Sequence, residues 1–105
     1  MKTFDELILG EKVWAMNSRN NNVLELTFIK KEIFEGFYDN IIEMTFESSG
    51  GEKLIISYNE YGSEGGCNWI KYNDTTEIYL EKEIVIYILE ERIKDINETL
   101  KTLKR

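Results

Sequence analysis

No histidine occurs anywhere in this chain, and that absence removes more chemistry than any residue present supplies. Imidazole is the side chain whose unperturbed pKa lies nearest neutrality, so the usual proton shuttles, histidine-activated nucleophiles and most metal sites are excluded. The single cysteine, Cys67, has no second thiol to pair with and no imidazole to activate it. It reads as a small loop residue in a reducing compartment. Proline is missing too. The longest apolar run, Ile84 to Leu89, is far short of the ~20 residues that cross a bilayer, and Met1 to Glu6 lacks the hydrophobic stretch of a signal peptide. The expected location is the cytoplasm, with no membrane contact.

Carboxylates, in contrast, are abundant. The 105 residues carry 20 Asp and Glu against 13 Lys and Arg, for a net charge of −7. Between Glu32 and Glu91 there are 14 carboxylates and only three lysines, Lys53, Lys71 and Lys82, whereas both ends are basic. A concentrated acidic surface repels nucleic acid and anionic lipid and attracts basic protein surfaces. With 42% apolar residues, this length suits one domain with one modest core. Residues 1–80 read as a strand-rich body and 81–103 as a C-terminal helix.

The body follows from its alternations. Thr3 and Glu6 have capping-box spacing before Leu7 and Ile8, and Gly10 ends that first turn. Val13 and Trp14 suit a strand, and Arg19-Asn20-Asn21-Asn22 marks a hairpin turn, because asparagine tolerates a left-handed backbone. Leu24, Leu26 and Phe28 alternate with Glu25, Thr27 and Ile29 on the return strand. From Lys30 the pattern is ambiguous, with a bulge or bend expected at Gly36. Ile42, Met44 and Phe46 set one face of the next strand, Glu43 and Glu47 the other, and a turn at Ser48-Ser49-Gly50-Gly51 leads to Leu54, Ile56 and Tyr58. Asn59 to Asn68 is a glycine-rich loop, followed by short strands at Trp69 to Tyr72 and Glu77 to Leu80.

Neither proline nor glycine interrupts the segment from Glu81 to Leu103, which reads as one long helix. Ile86, Leu89, Ile93, Ile96, Leu100 and Leu103 recur at alternating spacings of three and four, a heptad seam. Packing of this helix across one face or end of the sheet is the expectation, with a dimer through the seam as the alternative. The core is expected to include Val13, Leu24, Leu26, Phe28, Ile42, Met44, Phe46, Leu54, Ile56, Trp69, Ile78, Leu89, Ile93 and Ile96.

Two windows carry a resemblance. Gly10-Glu11-Lys12-Val13-Trp14 resembles the opening strand of small SH3-like barrels. Ile78-Tyr79-Leu80-Glu81-Lys82-Glu83 resembles the strand-to-helix step of small proteins of phages and mobile elements, although Glu81 stands where Thr or Ser is usual. This resemblance implies an α+β architecture, a five- or six-stranded antiparallel SH3-like half-barrel with one long C-terminal helix. In size and acidity the chain also looks like anti-CRISPR and other anti-defence inhibitors.

No catalytic set emerges. Glu43 and Glu47 are ~14 Å apart by strand rise, too far to cooperate. No calcium-loop or phosphate-loop spacing appears, so no metal, cofactor or catalytic residue is assigned. Tyr58, Tyr61, Trp69 and Tyr72 bracket the glycine loop and read either as core and cross-strand pairs or as a cage for a cation. Glu32, Glu35, Asp39, Glu43, Glu47, Glu52, Glu60 and Glu64 are the candidate partner-binding residues. They read either as a solvated surface or as a mimic of nucleic-acid phosphate, since alternate strand positions space charges by ~7 Å. The expected function is non-enzymatic binding of a basic protein, of the kind that would inhibit a nucleic-acid-binding enzyme, without direct nucleic-acid contact. The alternative is a small homodimeric accessory protein of phage or mobile-element origin.

Overall fold

The computed structural model describes residues 2–105. The period-two segments form β1 (Lys12–Asn17), β2 (Val23–Phe34), β3 (Ile41–Ser48), β4 (Lys53–Asn59), β5 (Trp69–Lys71) and β6 (Thr76–Tyr79), followed by α1 (Lys82–Leu103). They make one six-stranded antiparallel sheet in the order β4-β3-β2-β1-β6-β5, curled into a half-barrel. The α+β fold is the one the alternation implied. The chain turns where its residues permit it: Asn21 adopts φ +61° between β1 and β2, and Gly51 adopts φ +86° between β3 and β4.

Register divides the apolar residues between two faces. Val13 opposite Leu26, Phe28 opposite Phe46, Met44 opposite Ile56, and Ala15 opposite Ile78 all point inward. Phe28 and Phe46 sit with ring centroids 5.4 Å apart at 35°, both buried, at the centre of this cluster. A 3-10 turn at Phe4–Glu6 closes the concave side by inserting the fully buried Phe4, whose N–H donates to the Cys67 carbonyl at 3.1 Å. Beside it the Tyr58 hydroxyl donates to Asp5 at 3.0 Å. Thr3 and Glu6 do meet, side chain to side chain at 2.8 Å, without capping the backbone.

Three expectations need correction. The ambiguous segment after Lys30 continues as strand to Phe34, and the bulge falls between Phe28 and Lys30, while Gly36 stands where the chain bends back toward β3. Trp69 is half-exposed on the outer face, stacked on its cross-strand neighbour Tyr79, because the short edge strand β5 has no layer above it. The helix does not lie across the sheet along its length. Its first turns dock on the outer face, where Val85, Ile84, Ile88 and Leu89 pack against Trp14, Met16 and Tyr79. Arg92 then hydrogen-bonds Asn21 in the β1–β2 turn, where the sheet ends. Ile93 and Ile96 are therefore exposed instead of in the core, Leu89 is only partly buried, and the molecule is drawn out to 60 Å.

Candidate protein-binding surface

The longest strands, β2 and β3, end in a loop at residues 35–40 that carries two adjacent aromatics, Phe37 and Tyr38. They are 91% and 95% exposed, and their rings meet edge to face at 4.6 Å. Aromatic side chains seldom stand this open, because each leaves a large apolar area in water. The loop backbone beneath them is tightly folded. A Cβ on Gly36 would fall 1.9 Å from the Asp39 carbonyl oxygen, so only glycine fits there. One Asp39 carboxylate oxygen accepts the Tyr61 N–H at 3.0 Å, and the Asn40 amide donates to Glu60 at 2.9 Å, tying the tip to the loop after β4. The other Asp39 oxygen is out of solvent and has no donor. On the adjoining strand ends Phe34 and its partner Ile41 are exposed on one face and Ile33 on the other, and exposed Tyr61 lies on the neighbouring loop.

Carboxylates are frequent at this end of the sheet, with Lys30 and Lys31 just before it. Residues 32–43 and 57–64 hold six of them (Glu32, Glu35, Asp39, Glu43, Glu60 and Glu64) and no lysine or arginine. Glu32 and Glu43 are cross-strand neighbours on the outer face. Like charges directly opposite repel, and here Lys30 sits against Glu32 in an ion pair. Those contacts raise the Lys30 ammonium above its ordinary pKa, the Glu32 hydrogen bond contributing most and Glu43 least.

The remaining two candidates lie apart from this group. Glu47 has Lys53 opposite it on β4 and Thr27 on β2, and the Thr27 hydroxyl accepts from Lys12 at 2.6 Å, so charge there alternates in sign. Glu52 sits in the β3–β4 turn at the other end of the sheet, where its N–H donates to Ser48 Oγ at 3.1 Å. Six of the eight carboxylates therefore gather at one end, and the eight do not form one continuous face.

The aromatic cage does not assemble. Tyr58 is buried with its hydroxyl on Asp5, Tyr61 is exposed on a loop, Trp69 stacks on Tyr79, and Tyr72 lines the mouth of the half-barrel. That mouth is an open groove of about 660 Å³ bordered by Asn17, Asn20, Asn22, Thr76, Glu52 and Lys53. It contains one carboxylate, so it offers no carboxylate pair. Among the described residues no group of three or more Cys, Asp or Glu is placed to hold a metal ion, and no helix is long and apolar enough to cross a membrane. Phe37 and Tyr38 went unread in the sequence, although two adjacent aromatics between Gly36 and Asp39-Asn40 break the strand alternation and signal an exposed loop. No family model, curated protein or solved structure matches the chain.

Proposed function

We propose that this chain is a non-enzymatic protein-binding module that holds a basic protein through the tip between β2 and β3. The observation that carries this reading is the pair Phe37 and Tyr38, open to solvent on a loop that itself carries Glu35 and Asp39 and is tied to Glu60. Aromatic anchors supply most of the energy of a protein interface when they enter a partner's pocket. A rim of one charge sign steers the encounter and rejects partners of the same sign. The Asp39 and Glu60 hydrogen bonds tie down the loop backbone that carries the rings, which lowers the cost of ordering that backbone on binding. Where the basic surface is one that otherwise holds nucleic acid, occupying it inhibits that protein, which is the role its acidity and small size suggest.

The test compares capture from host lysate at low salt by three forms of the protein. These are the unaltered chain, Phe37→Ala/Tyr38→Ala, and Glu35→Lys/Glu64→Lys. A basic protein should be retained by the first, released by salt, and bound roughly thirty-fold more weakly by the aromatic variant, the equivalent of about 2 kcal/mol. Circular dichroism should show all three equally folded. Capture that is equal for all three, or no retained protein, overturns the reading.

A further inference from the structure

We infer that α1 is a self-association arm through which two copies of this chain pair antiparallel. After Arg92 the helix leaves the body, and residues 93–103 continue it for about 16 Å, or about three turns. On that free stretch Ile93 is 58% exposed, Ile96 55%, Leu100 43% and Leu103 75%. A helix of this length is marginal in water by itself, and nothing in the monomer covers its apolar positions. The docked side is taken by Ile84, Val85 and Ile88, with Leu89 half-buried at its edge. The seam of Ile86, Leu89, Ile93, Ile96, Leu100 and Leu103 runs beside it, rotated by roughly a quarter turn at 100° per residue.

Charge selects the occupant and its direction. Residues 81–91 contain four glutamates and one lysine, for −3, and residues 92–105 contain five Lys or Arg against two carboxylates, for +3. A second copy laid antiparallel sets each acidic half beside a basic half, with the two helix dipoles opposed; a parallel copy would set like beside like. The seam is also self-complementary in that direction. Ile86 meets Leu103 of the second copy, Leu89 meets Leu100, and Ile93 meets Ile96, so all six residues of each chain are used. The same register places Glu83, which follows the seam position one heptad before Leu89, beside Lys104 of the second copy at both ends. Such an interface is isologous and closes at two chains, keeping the two sheets at opposite ends of the helix pair.

Sedimentation of the full chain over a concentration series gives the first reading. The mass should double for the unaltered protein and stay monomeric for Ile93→Asp/Ile96→Asp. Those positions are exposed in the single chain, so circular dichroism should show the sheet intact. Direction is read by oxidising a mixture of Glu83→Cys and Lys104→Cys chains, each also carrying Cys67→Ser. The antiparallel arm yields the mixed disulfide in excess of both like pairs. A protein that is monomeric at every concentration overturns the inference, as does a predominance of like disulfides.

Discussion

Tyr79 shows how a single residue joins the edge of the sheet to the helix on its outer face. Its ring lies between Trp69 and the docked start of α1, and its burial, reinforced by nearby Glu77, pushes its hydroxyl from the ordinary value near 10 up to about 12. Burial moves Tyr58 upward as well, with Asp5 adding to the effect. A phenol whose pKa is higher in the folded state leaves stability intact below pH 10. Above that the unfolded chain loses its proton first, so stability falls as pH rises through the folded value. The unfolding midpoint in urea should therefore be flat from neutrality to about pH 9.5 and drop steeply between about pH 10 and 12. Tyr79→Phe should flatten that decline, at a cost near neutrality of about 1 kcal/mol through loss of the hydroxyl's hydrogen bond to Glu77. Tyr58→Phe should flatten it too, while lowering stability at pH 7 by about 1 kcal/mol through loss of the Asp5 hydrogen bond. A decline of the same steepness in both variants would contradict these assignments.

Among the elements, the strands were legible because alternation is itself a statement about faces: Leu26/Phe28, Ile42/Met44/Phe46 and Leu54/Ile56 all face inward as their spacing requires. The helix was legible as a helix but not as a layer. A heptad seam records that one stripe is apolar; it does not say whether the sheet is long enough to cover it. Here β1 ends at Asn17, the turn at Asn21 meets Arg92, and the seam beyond has no sheet beneath it. Phe4 was missed because burial of a terminal turn depends on a contact with Cys67, far away in sequence. The division of α1 into docked and free halves has a thermodynamic consequence. Val85→Ala removes buried methyl groups and should cost about 2 kcal/mol, whereas Ile93→Ala in the dilute monomer should stay within about 0.5 kcal/mol of the parent. Urea midpoints at low protein concentration compare the two. Hydrogen exchange adds a second check: amides after Arg92 should exchange quickly in dilute protein and slow as concentration rises.

At the scale of the whole molecule the two ends differ in chemistry. The tip between β2 and β3 is acidic and aromatic; the free end of α1 is basic, with an aliphatic stripe. Net charge in the sequence foretold an acidic surface, but only the register shows that Glu47 and Glu52 belong elsewhere while the other six candidates gather at the tip. An antiparallel pair of arms would carry two such tips at its far ends, so a target with repeated basic surfaces gains avidity from one dimer.

The most direct test of the account places a photo-crosslinking amino acid at position 37 and, as control, at position 74, whose side chain is 99% exposed at the opposite end of the sheet. Both proteins are illuminated at low salt in lysate of the organism that carries the gene. The account predicts that position 37 yields an adduct with one basic protein, that added salt abolishes it, and that position 74 does not form it. Equal adducts from both positions, or none from position 37, would contradict the tip as the binding surface.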